Sequence, residues 1–95
     1  MKVERTNKQL PKPTLLPISD NLFSAEKDCM ELRKAMKGLG TNERKIINII
    51  GTRTNQQRQL IKKTYPKVCP DRDLLKDFRS ELSGNIRNLV VNFLY

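Results

Sequence analysis

The sequence predicts an all-α unit: two antiparallel helical hairpins joined by a crossing third helix, five helices in all, preceded by a mobile N-terminal tail. Three observations predict it. From Ser24 onward apolar residues recur at steps of three and four, the spacing of a helix with one buried face. Ser, Thr and Asp starts and glycine stops punctuate that pattern. No segment alternates apolar and polar residues as a half-buried strand does.

The first helix starts at Ser24, whose hydroxyl suits an N-cap, and carries Ala25, Cys29, Leu32 and Met36 on one face. Gly38 stops it by taking the left-handed conformation after the last turn. Thr41 caps the second helix, with Asn42 and Glu43 in its first turn, where negative charge complements the dipole. Ile46, Ile47, Ile49 and Ile50 give that helix a wide apolar face, and Gly51 ends it. Thr54 or Asn55 starts a third helix with Leu60, Ile61 and Tyr65, and its run Gln56–Gln59 points to partial exposure. Pro66 and Pro70 bracket a loop. Asp71 or Asp73 then caps a fourth helix carrying Leu74, Leu75, Phe78 and Leu82. After a break at Ser83–Gly84, Ile86, Leu89, Val90, Phe93 and Leu94 mark the fifth.

Residues 1–23 read differently. Pro11, Pro13 and Pro17 break any helix and polar residues fill most of the stretch between Lys2 and Lys12, so this stretch is assigned to a disordered tail and residues 24–95 to the folded domain. The 95 residues are 37% hydrophobic, enough for one modest core. Lys and Arg number 19 against 10 Asp and Glu, a balance of +9 that suits anionic partners, although no run of like charge stands out. No stretch is long and apolar enough to span a bilayer, and Leu15–Leu16 followed by Pro17 is too short for a signal-peptide core, so a cytoplasmic chain is expected. Cys29 and Cys69 lack a C-x-x-C pattern and read as reduced packing residues. Histidine is absent, which removes the commonest general base and leaves no Ser/His or Cys/His nucleophile; no enzymatic activity is expected. Two distant cysteines do not make a zinc site, and no EF-hand run is present.

What remains is the turn Met36-Lys37-Gly38-Leu39-Gly40-Thr41. Two glycines in three positions allow main-chain carbonyls to converge. With the third helix crossing at the bottom, this loop and the turn after Glu81 both stand at the top, side by side. The carbonyls of Met36, Gly38 and Gly40 and a side-on Glu81 carboxylate then offer about five oxygens, where Ca²⁺ takes roughly six to eight. Water or a phosphate oxygen of an anionic lipid suits the open positions. Lys37 at the loop tip adds roughly 1 kcal/mol of attraction to an anionic surface, and Leu39 reaches the lipid interface. Read alone, G-x-G-T is more often a helix stop and restart, and Glu81 more often an ordinary exposed carboxylate.

Three motifs in order carry a family resemblance. Leu32-Arg33-Lys34-Ala35-Met36-Lys37-Gly38-Leu39-Gly40-Thr41-Asn42-Glu43 resembles the loop of the first annexin repeat, Arg53–Gln59 its middle signature, and Asp73–Asn85 its fourth helix and following turn. The resemblance runs from about Ala25 to Leu94. It implies a right-handed five-helix repeat that binds Ca²⁺ and anionic phospholipid, resident in the cytoplasm and peripheral on plasma or vesicle membranes when Ca²⁺ rises. It implies a main Ca²⁺ site at Met36, Gly38, Gly40 and Glu81, and a weaker one at the Thr41 carbonyl and Glu43 carboxylate. Asn42 stands where the family usually has aspartate, an extra residue sits near Pro66–Pro70, and Arg87 replaces an acidic residue of a further weak site.

Family members usually carry four repeats and this chain has one, so apolar sides around Ile47, Ile50, Val91 and Leu94 are expected to be bare and to favour self-association. The competing readings are a truncated annexin acting as an interaction module, with an EF-hand protein as a partner of the tail, and a basic nucleic-acid-binding domain. The second is disfavoured by an aromatic content of 5% and the lack of a concentrated basic face.

Overall fold

The computed structural model describes Ser19 and residues 21–38 and 40–95, so the tail assignment over residues 1–18 and Asp20, and the interfacial role given to Leu39, lie outside the described residues. Five helices follow in order: α1 Ala25–Lys37, α2 Glu43–Gly51, α3 Asn55–Val68, α4 Leu74–Glu81 and α5 Gly84–Phe93. No strand occurs among the described residues.

Side-chain caps set the helix starts. Ser24 Oγ accepts the Lys27 N–H at 3.2 Å, and Asp73 Oδ2 the Lys76 N–H at 3.0 Å. Thr54 and Gln57 form a reciprocal capping box, with bonds of 3.1 and 2.9 Å, so the third helix starts from Thr54. Asp71 does not cap; it takes a positive φ of 67° in the turn ahead of α4. Pro66 does not open a loop either. α3 runs through it to Val68, and Cys69 N–H closes the last turn on Tyr65 at 2.8 Å. A proline this near a helix end forfeits one main-chain bond, and the tertiary packing of Tyr65 and Ile61, both fully buried, holds the remaining turns.

α1 packs on α2 and α3, α4 on α3 and α5, and α2 on α5. This last pairing closes the core. Cys29, Leu32, Ile46, Ile50, Tyr65, Phe78, Leu74 and Val90 have no solvent exposure. It also corrects the expectation of bare apolar sides. Ile50 and Leu94 are fully buried, Val91 nearly so, and Ile47 is partly buried, because α2 and α5 cover one another. The large apolar residues that do face solvent, Leu22, Met30, Leu60, Leu89 and Tyr95, are spread over different elements. Phe23 packs against the core, one residue before the Ser24 cap.

α3 links the C-terminal end of α2 to the N-terminal end of α4. The two remaining turns, α1–α2 and α4–α5, therefore stand together at the far ends of those helices. Each of α2 and α4 rises roughly 12–14 Å at about 1.5 Å per residue, which keeps α3 away from both turns.

Candidate calcium and membrane site

The α1–α2 turn closes on itself. Asn42 N–H donates to the Ala35 carbonyl at 2.8 Å, enclosing Met36–Thr41 in a ring. Gly38 has an extended backbone (φ −74°, ψ −169°), and the left-handed residue is Gly40 at φ +83°. The expected left-handed stop thus sits two residues later: the chain leaves α1 extended and turns back only as it nears α2. Gly40 is the position where a side chain would strain the backbone. Open space surrounds both glycines, and both are exposed. Among the described residues no main-chain hydrogen bond from outside α1 reaches the carbonyls of Met36, Gly38 or Gly40.

Asn42, not Thr41, caps α2: its Oδ1 accepts the Lys45 N–H at 3.2 Å. Thr41 is thereby released, and its hydroxyl donates to Glu81 Oε1 at 3.2 Å across forty positions of sequence. This contact puts the Glu81 carboxylate beside the glycine turn. The Thr41 carbonyl accepts the Glu43 N–H at 3.1 Å, which leaves one of its lone pairs open. Glu43 itself is half-buried in the first turn of α2, and Lys37 is exposed at the end of α1. An ion pair between Glu31 and Lys45 crosses the α1–α2 hairpin; Lys45, as hydrogen-bond donor and as charge, holds the Glu31 carboxyl below its usual value.

Two other carboxylates are buried, and sequence reasoning missed both. Arg53 grips Asp28 with two bonds, of 2.6 and 2.8 Å, and also reaches the Thr52 hydroxyl. Arg72 grips Asp77 with two bonds of 2.8 Å, Tyr65 donates to Asp77 at 2.6 Å, and Arg33 stands 3.9 Å away. Burial raises the Asp77 carboxyl, and the hydrogen bonds from Arg72 and Tyr65 with the charges of Arg72 and Arg33 outweigh it, leaving Asp77 below the ordinary value. Tyr65 is held above its usual value, first by burial and then by its bond to Asp77. The available signal was positional: Asp28 lies next to Cys29 on the apolar face of α1, and Asp77 precedes Phe78 on that of α4.

Cys29 and Cys69 are both free, the first buried and the second half-buried. Burial pushes the Cys29 thiol up to about 12, so it stays neutral at physiological pH. Among the described residues no helix is long and apolar enough to cross a membrane, and no group of three His, Cys, Asp or Glu side chains is placed to hold a metal. The groups at the α1–α2 turn that would hold a cation are main-chain carbonyls and the Glu81 carboxylate, hard oxygens that fit Ca²⁺ better than zinc. Shallow grooves around Leu60, lined by Gln56, Gln59, Lys63 and Phe23, belong to α3 and not to this turn.

The family model that matches this chain is the annexin model, over residues 27–93. The chain belongs to the annexin family. It is 43% identical over 83 residues to annexin A7 of Homo sapiens, covering 87% of this chain and 16% of that protein. Among solved structures, chicken annexin V aligns with a TM-score of 0.76 at 40% identity, covering 83% of this chain and 24% of that one. A calcium-bound annexin (Sm)1 aligns with a TM-score of 0.75 at 39% identity, covering 83% and 22%. The chain thus spans between a sixth and a quarter of the length of these annexins. The all-α five-helix repeat read from the sequence is the annexin architecture.

Proposed function

We propose that this annexin repeat binds anionic phospholipid membranes in a Ca²⁺-dependent manner through the α1–α2 turn and Glu81. The observation that carries this is the 3.2 Å contact between the Thr41 hydroxyl and Glu81, which brings an acid side chain to the α1–α2 glycine turn. When bound, Ca²⁺ supplies the positive charge that lets a lipid phosphate oxygen share a site with a carboxylate. Met36, Gly38 and Gly40 present main-chain oxygens, and Glu81 presents two more and the site's negative charge. Those five leave positions for water or phosphate, so lipid and ion raise each other's affinity by linkage. Thr41 and Glu43 form a weaker neighbouring site. Lys37, exposed beside the turn, adds attraction to an anionic surface. The calcium-bound state of annexin (Sm)1 supports the choice of ion.

Nucleic-acid binding has less support. α3 carries Arg58, Lys62, Lys63 and Lys67 and no acid. Two of these serve the fold: Arg58 lies over the Phe93 ring at 4.6 Å, and Lys62 donates to the Leu94 carbonyl at 2.8 Å.

Co-sedimentation with phosphatidylserine vesicles, with Ca²⁺ and with EGTA, tests the reading. Pelleting with Ca²⁺ that is lost in EGTA is expected, and equal pelleting in both removes it.

A further inference from the structure

We propose that Thr41 is a positioning residue for Glu81, holding the carboxylate at the glycine turn before any ion arrives. This rests on the reading of that turn and Glu81 as a Ca²⁺ site. Glu81 is exposed at the last position of α4, where a long side chain samples many rotamers. Fixing it on ligand binding loses that freedom, so a partner that fixes it beforehand removes part of the cost.

The Thr41 hydroxyl is suited to this in three ways. It is neutral, so it orients the carboxylate without cancelling its charge, unlike the guanidinium groups on Asp28 and Asp77. It occupies one of about four lone-pair sites of the carboxylate and leaves the rest open. Its own place is set by the peptide that follows it: the Thr41 carbonyl accepts the Glu43 N–H, and the N–H of that same peptide, from Asn42, is tied to Ala35. The branched Cβ further limits χ1. Capping of α2 by Asn42 is what frees the hydroxyl.

The test uses the whole chain and three variants, Thr41→Val, Thr41→Ser and Thr41→Ala, the last serving if valine disturbs the turn. Ca²⁺ affinity is measured by calorimetry without lipid and by vesicle binding, and Glu81 side-chain averaging by NMR in the metal-free protein. Thr41→Val is expected to raise the Ca²⁺ Kd roughly three- to tenfold, the ordering cost of one rotamer-rich side chain. It also broadens Glu81 rotamer averaging without ion, while Thr41→Ser stays within about twofold of the original chain. Unchanged Kd, or unchanged Glu81 averaging, in Thr41→Val and Thr41→Ala overturns the proposal. So does a loss seen only with vesicles, which would assign the hydroxyl to the headgroup. If the original chain itself takes up no Ca²⁺ with or without vesicles, the site reading fails first, and this inference with it.

Discussion

Asp77 and Glu81 lie one turn apart on α4 and are treated in opposite ways. Asp77 is buried and saturated: a bidentate guanidinium, a phenol and a second arginine take up its charge and its lone pairs. Glu81 is exposed and, among the described residues, meets a neutral hydroxyl. The first ties α1, α3 and the α3–α4 turn to α4, and has nothing left for a ligand. The second contributes little to the fold and keeps its charge and coordination capacity. A carboxylate's role here follows from what already occupies it, and not from its proximity to a turn.

The strongest way to break that contrast is to truncate Asp77. Asp77→Ala leaves the buried Tyr65 hydroxyl without its acceptor and opens the pair with the exposed Arg72, and is expected to cost about 1–3 kcal/mol in chemical denaturation. At temperatures where it stays folded, its Ca²⁺ response is unchanged. Glu81→Gln is the mirror image. Unfolding free energy stays within about 0.5 kcal/mol, while the Ca²⁺ needed for half-maximal vesicle binding rises roughly tenfold or more.

The pH dependence of melting sharpens the same contrast. Asp77 has a lower pKa folded than unfolded, so its stabilisation is complete above the ordinary aspartate range and is lost as pH falls through its lowered value. Tyr65 is raised, so its contribution is complete below the usual phenol value and declines as pH climbs above it. Tm is therefore flat around neutrality with a drop on each side, and Asp77→Asn flattens the acid limb. The smallest effect belongs to Glu31. Its pair with Lys45 lies partly exposed at the surface, and Glu31→Gln should leave Tm unchanged at physiological salt.

Much of the fold was legible because the apolar spacing of α1, α2, α4 and α5 and the caps at Ser24, Thr54 and Asp73 are local signals. Pro66 misled because its local penalty is outweighed by Tyr65 and Ile61, whose burial depends on partners far along the chain. The covering of Ile50, Val91 and Leu94 by the α2–α5 contact is likewise tertiary. Around the α1–α2 turn, the approach of Glu81 was legible but the local bonding was not. Thr41 and Asn42 are both good caps, and only the nearby Glu81 settles which one serves the helix and which the carboxylate. Gly38 and Gly40 both permit a left-handed turn, and the return path to Asn42 selects Gly40. The buried pairs of Asp28 and Asp77 need partners brought together by folding, and no spacing rule announces them.

A crystal structure of the chain with Ca²⁺ tests the central claim most directly. The account predicts an ion about 2.3–2.6 Å from the Met36, Gly38 and Gly40 carbonyls and from both Glu81 oxygens. An ion held elsewhere, or held at the turn with Glu81 turned away, would contradict it.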